Sequence, residues 1–208
     1  YFYKIINYIK KQSTKIFYLR HASTKYSKKI FIGQKLNPKI EPTSDKSKFK
    51  NIKYDYCYSS ELKRSIQTSS LFCCNLISTN NLLNEIDYGD AEGLNYEKLS
   101  KQFPYIIKNW KRHIDISFPN GENNTDLLNR LNKFNLFLIN KFKKNKNLKI
   151  LVITHNIILR ALVGSFFNIP IHNWFKININ YLESIETIIL NNKIILNIPR
   201  TKILKTIN

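Results

Sequence analysis

Phe17-Tyr18-Leu19-Arg20-His21-Ala22-Ser23-Thr24 is the stretch on which the fold turns. An apolar, β-type run from Lys15 to Leu19 stops at an Arg-His pair, and small polar residues follow. A buried strand opening into a loop at its carboxyl end has this pattern. In open α/β sheets, the crevice outside the strand carboxyl ends is where ligands bind. Leu148 to Thr154 (LKILVIT) has the same shape and ends at His155. Two of the four histidines therefore directly follow the two best buried strands. One histidine after a strand reads as a polar loop residue; two, one of them beside an arginine, point to a site. His113 and His172 have polar or mixed settings and read as surface residues.

Outward from these strands, helical and β patterns alternate. Tyr54 to Tyr58 reads as a second buried strand. Ser59-Ser60 then caps a helix with Glu61 in its first turn, running to about Asn75 with Leu62, Ile66 and Leu71 inward. Leu82 to Ile86 reads as a short strand, and Gly89 and Gly93 punctuate a turn region. Tyr96–Phe103 and Tyr105–Arg112 are two short helices split at Pro104, and Pro119-Asn120-Gly121 is a turn. Leu127, Leu131, Phe134, Leu138 and Phe142 recur on one helix face. A helix with Ile157, Ile158, Ala161, Leu162 and Phe166 inward follows His155 and stops near Pro170. Phe175–Ile179, Ser184–Leu190 and Lys193–Ile198 read as strands, the last two joined by Asn191-Asn192 in a type I′ hairpin. Residues 22–53 have little periodicity and read mostly as loop. The sum is an α/β domain with a mostly parallel central sheet and an antiparallel edge. Residues 1–14 form an N-terminal extension, and 15–208 form one domain.

Composition narrows the class. A chain of 208 residues with 43% hydrophobic and 13% aromatic residues has the makings of a globular core. No run of 18 apolar residues exists, so no transmembrane helix is expected, and residues 1–14 lack the apolar core of a signal peptide. Cys57, Cys73 and Cys74 are odd in number and lack metal-ligand spacing, which argues for a reducing, cytoplasmic setting without zinc or disulfides. The net charge of +20 comes from scattered lysines, densest at Lys141–Lys149. It reads as compositional drift rather than a specific nucleic-acid surface, although such a field steers anionic substrates. Against that lysine background, Arg20 and Arg64 are informative, because a guanidinium is a fixed fork of donors suited to phosphate oxygens.

Five segments, in order, resemble the histidine phosphatase superfamily, which includes the cofactor-dependent phosphoglycerate mutases. Leu19-Arg20-His21-Ala22-Ser23-Thr24 is similar to the LRHGxS/T motif. Ser59 to Thr68 is similar to SSxLxRAxQT, and Glu85 to Gly93 to E-x-x-(F/Y)-G-x-W-E-G. Asn120-Gly121-Glu122 resembles the GGES turn, and Val152-Ile153-Thr154-His155-Asn156 the second histidine motif. The resemblance implies a three-layer α/β/α, phosphoglycerate mutase-like fold. It implies that His21 attacks phosphorus, that Arg20, Arg64 and His155 hold the phosphoryl oxygens, and that Glu85 donates and then accepts a proton. Ser27 and Asn156 fall where the family contacts substrate. Departures are Ala22 for Gly, Ser27 for Asn, Ala91 for Trp, Asn123 for Ser and Asn156 for Gly; none removes a charged catalytic group. Glu92 and Glu122 read as structural or peripheral, with an approach of Glu122 to the pocket, as in the family's phosphatases, the alternative the resemblance implies; Asp87 and Asp90 read as turn residues, and Tyr88 as packing.

These residue types suit phosphoryl transfer without the resemblance. A phosphate monoester carries close to two negative charges, and its transfer needs positioning and charge stabilisation above all. Two arginines and a protonated histidine supply both without metal or cofactor. The expectation is a phosphatase acting on a small phosphorylated metabolite, with no specific nucleic acid and no membrane, as a monomer or homodimer. Only about seventy residues separate Glu85 from His155, shorter than the mutases resembled, and Asp87 to Lys98 and Pro104 to Arg130 are similar to the small phosphatases that include α-ribazole-phosphate phosphatases. A phosphomutase and a degenerate basic binding protein are the alternatives.

Overall fold

The computed structural model describes residues 12–26, 30–42, 52–74, 76–112 and 114–197. Its centre is a six-stranded sheet. The strands are β1 (Lys15–Arg20), β3 (Tyr56–Ser59), β5 (Ile77–Thr79), β6 (Lys149–Thr154), β7 (Ser184–Leu190) and β8 (Lys193–Leu196), in the order β5-β3-β6-β1-β7-β8. β5, β3, β6 and β1 run parallel; β7 pairs antiparallel with β1, and β8 with β7. β2 (Lys53–Tyr54) and β4 (Cys73–Cys74) form a separate parallel pair. The helices are α1 (Lys63–Ser69), α2 (Tyr96–Gln102), α3 (Pro104–Lys111), α4 (Asn124–Phe142) and α5 (Asn156–Phe167).

The near-continuous apolar runs of β1 and β6 follow from their place at the centre of a sheet covered on both faces. Side chains alternate: Ile16, Tyr18, Ile150 and Val152 join the large core beneath α4 and α5, while Leu19, Leu151 and Ile153 meet Tyr54 and Cys57 on the other face. The register sets Lys15 opposite Lys149 and Arg20 opposite Thr154, so both strands end level. That alignment, sealed by the His21 N–H donating to the Thr154 carbonyl at 3.0 Å, puts the two following histidines side by side.

α4 buries Leu127, Leu131, Phe134, Leu138 and Phe142, the face read from the sequence. Its start explains one departure from the family pattern. Asn123 is the N-cap of a capping box, accepting from the Asp126 N–H while the Asp126 carboxylate accepts from its own N–H. Asn caps as well as Ser does. Asn191 and Asn192 both have positive φ, 49° and 57°, as a type I′ hairpin requires.

Four readings are corrected. The strand at 54–58 is interrupted at Asp55, whose carboxylate accepts from the Lys149 N–H. The helix read to about Asn75 spans only Lys63–Ser69; Ile66 faces outward, and the buried face is Arg64, Ser65, Thr68 and Ser69. Leu82 to Ile86 is a 3₁₀ turn with extended chain, while the edge strand is Ile77–Thr79. Phe175 belongs to a 3₁₀ stretch, Ile171–Lys176, rather than to a strand. Ser27 and His113, and most of the N-terminal extension, lie outside the described residues. Among the described residues no helix is long and apolar enough to cross a membrane.

Candidate active site

A cleft of about 260 Å³ opens at the carboxyl ends of β1 and β6, with Arg20, His21, Arg64, Glu85 and Asn156 on its walls. His21 is 7% exposed. Its Nδ1 lies 2.6 Å from the Ala22 carbonyl. A carbonyl only accepts, so Nδ1 carries the proton and Nε2 keeps its lone pair. Burial lowers the imidazole pKa well below the usual histidine value, and the charge of Arg64 adds to this; the Ala22 bond opposes it, and Arg20 lowers it further. At neutral pH His21 is an oriented, neutral imidazole, a state competent for nucleophilic attack. Ala22, where the family has glycine, is buried, and its N–H donates to Thr68 Oγ1 at 3.0 Å.

Arg64 is 1% exposed, with its fork held by three acceptors. Nη2 donates to the Gly33 carbonyl at 2.8 Å and Nη1 to the Leu36 carbonyl at 3.4 Å. Nε donates to His155 Nδ1 at 3.2 Å. Gly33 sits so close to the Ile86 carbonyl, 2.8 Å from any added Cβ, that a side chain would push this loop off Arg64. Glu92 holds the same loop, accepting from the N–H groups of Gly33, Lys35 and Leu36 at 2.8, 2.9 and 2.7 Å. The structural reading of Glu92 therefore holds, and the loop it ties is the one that aims Arg64.

His155 is fully buried and lies behind the cleft wall, its ring 5.0 Å from that of His21. Nδ1 accepts from Arg64, so Nε2 carries the hydrogen and donates to Ser60 Oγ at 2.7 Å. Burial first, then Arg64 and His21, holds its pKa well below the usual value. The sequence reading took this histidine as protonated; these neighbours make it a neutral imidazole at pH 7. A phosphate dianion near its ring would act in the opposite direction.

Arg20 donates through Nη1 to the Ile179 carbonyl at 2.6 Å, and its guanidinium carbon stacks 3.9 Å from the Tyr181 ring centroid. Its Nε is buried without a partner. Glu85, 5% exposed, is pushed above the ordinary carboxyl range by burial. The Ile86 N–H, Arg64, the Ile157 N–H and Arg130 pull the other way without cancelling that effect. The Ile86 and Ile157 N–H groups bond its two oxygens at 3.0 and 3.4 Å, the second from the first turn of α5. Asn156 opens α5 with its side-chain Oδ1 buried and unpartnered.

Four contributors escaped the sequence reading. Arg130 makes a two-pronged ion pair with Glu122 at 2.8 and 3.0 Å. It also donates to the carbonyls of Leu82 and Glu85, fixing the segment that carries Glu85. A lone arginine beside the apolar face of α4 was its only signal. Tyr181 stacks on Arg20 from a loop without periodicity. Ser60 reads as a cap but tethers His155, and Arg160, one turn into α5, reaches the cleft wall. Among the described residues no group of three or more His, Cys, Asp or Glu side chains is placed to hold a metal ion.

Residues 16–194 match the model of the histidine phosphatase superfamily (branch 1). The chain belongs to that superfamily, whose members are phosphoryl-transfer enzymes. A phosphoglycerate mutase of Schizosaccharomyces pombe is 29% identical over 161 residues, 69% of this chain and 75% of the relative. The rat 6-phosphofructo-2-kinase/fructose-2,6-bisphosphatase 4 is 28% identical over 154 residues, 68% of this chain but only 31% of the relative's length. The alpha-ribazole phosphatase of Shigella flexneri superposes with a TM-score of 0.71 at 17% identity, covering 89% of this chain and 95% of that one. This last likeness is one of fold.

Proposed function

We propose that the protein is a phosphatase of small phosphate monoesters that works through a phosphohistidine on His21. The observation that carries this reading is the His21 imidazole, with Nδ1–H fixed on the Ala22 carbonyl and Nε2 free, in one cleft with two arginines and a carboxyl pushed upward. His21 Nε2 attacks phosphorus and the ester P–O bond breaks. The leaving alkoxide takes the Glu85 proton and departs as an alcohol. Water then attacks the phosphohistidine, Glu85 takes its proton, and the P–N bond breaks to release phosphate and restore His21. Arg20 and Arg64 meet the charge on the phosphoryl oxygens throughout.

The S. pombe relative keeps phosphoryl transfer to a second hydroxyl as the alternative. A mutase must hold a further anionic group, and the neighbouring cavity, described below, is lined mostly by apolar side chains. Release of inorganic phosphate from p-nitrophenyl phosphate by the wild type, and its loss in His21→Ala, is the expected result. Transfer from a bisphosphate to an acceptor without net phosphate release would establish the mutase instead.

A further inference from the structure

A second cavity, of about 230 Å³, adjoins the phosphate cleft, and Phe31, Tyr88, Ile157 and Arg160 line both. Its walls differ in kind from the cleft's. Six aromatic rings (Phe31, Tyr88, Trp110, Phe118, Trp174 and Phe175) and four isoleucines surround it. The polar liners are Asn124, Arg160 and His172. Asn124 already donates through Nδ2 to Asp115 at 2.9 Å, and Arg160 through Nε to the Ile177 carbonyl at 2.8 Å. Trp174 is 4% exposed, held by its indole N–H on the Ile169 carbonyl and by the bare face of Gly164, where a side chain would collide with the ring. Phe175, 62% exposed, stands at the rim.

We propose that this cavity receives the alcohol half of the substrate, and that the preferred substrates are phosphate esters of alcohols bearing a flat aromatic or apolar body. The inference rests on the phosphatase reading. The physical reason is selective desolvation. A polyol entering these largely apolar walls leaves most of its hydroxyls without partners, which is costly. An aromatic ring gains apolar burial and edge or face contacts with six rings. Arg160, at the seam of the two spaces, is placed to meet a polar atom joining ring to phosphate.

The test is calorimetric binding of non-hydrolysable phosphonates, which needs no turnover. We expect 2-naphthylmethylphosphonate to bind on the order of tenfold more tightly than 2,3-dihydroxypropylphosphonate, from the additional apolar area buried. Trp110→Ala, at the half-buried wall, and Phe175→Ala, at the exposed rim, should each shrink that ratio. Equal affinity, a preference for the dihydroxypropyl compound, or a ratio untouched by both variants would overturn the proposal. Hydrolysis measured alongside separates the two readings. Ester turnover without aromatic preference sinks this inference alone; aromatic preference in binding without phosphate release or phosphoenzyme sinks the phosphatase reading and leaves the cavity's selectivity standing.

Discussion

The phosphate cleft and the aromatic cavity share a wall but are built by opposite means. The cleft gathers the neutral imidazole of His21 and the guanidiniums of Arg20 and Arg64 at the ends of central strands and on α1, His21 and Arg64 buried and Arg20 half-buried. Each is fixed by backbone carbonyls: Ile179 for Arg20, Ala22 for His21, Gly33 and Leu36 for Arg64. The cavity draws on the end of α3, on Ile116 and Phe118 after it and on the 3₁₀ stretch Ile171–Lys176, all outside the sheet, and its walls are largely rings. A carbonyl-anchored cation cannot shift without losing a bond, which suits a transition state of fixed geometry. Ring contacts are broad and non-directional, which suits tolerance for a family of alcohols. Changes in the cleft should therefore act on kcat for every ester, and changes in the cavity on discrimination between esters.

His21→Ala gives the sharpest test, with a loss of about three orders of magnitude or more on all esters, since among the described residues His21 is the one imidazole lining the cleft. Arg64→Lys should cost on the order of a hundredfold in kcat, because an ammonium cannot serve His155, Gly33 and Leu36 together while facing phosphate. A mild effect there would break the contrast between the two regions. Glu85→Gln should cost about ten- to a hundredfold on alkyl esters and far less on p-nitrophenyl phosphate, whose leaving group needs little protonation.

The same variant decides the pH profile. The proposed mechanism requires His21 neutral and Glu85 protonated. His21 is lowered from 6.5, so activity persists into acid until pH falls through its pKa. Glu85 is raised from 4.5, so activity falls as pH rises through its pKa. An acidic optimum is expected for alkyl esters, and Glu85→Gln should abolish the alkaline limb. Arg130→Met should destabilise the fold by about 2 kcal/mol, the scale of a lost charged hydrogen-bond pair, and lower kcat several-fold by loosening the Glu85 segment; urea unfolding and kinetics read the two separately. EDTA, the smallest expected effect, should leave the rate unchanged, because arginines supply the charge.

How legible each region was in the sequence follows from the same contrast. The cleft's central strands were readable because burial on both faces makes β1 and β6 continuous apolar runs, and a histidine after such a run stands out. The α1 helix was misread for a chemical reason. Its buried face is Arg64, Ser65 and Thr68, so a search for apolar periodicity placed Ile66 inward when it faces solvent. Leu82, Leu83 and Ile86 are apolar and read as a strand, yet the segment, with Asn84 and Glu85 between them, is a 3₁₀ turn and extended chain, while the pairing edge is the largely exposed Ile77–Thr79. The cavity was not legible. Trp110 and Phe118 lie more than fifty residues before Trp174, on segments with no shared period, and only tertiary packing brings them together. Arg130 and Tyr181 act through atoms of other residues, a role that residue type alone does not announce.

The central claim is the covalent use of His21, and trapping that intermediate tests it most directly. Wild-type protein mixed with a phosphate monoester and quenched within milliseconds should carry one phosphoryl group that is acid-labile, alkali-stable and located at His21 by peptide mass analysis. His21→Ala should carry none. Phosphate release without any trapped phosphoryl group, or a phosphoryl group on another residue, would contradict the account.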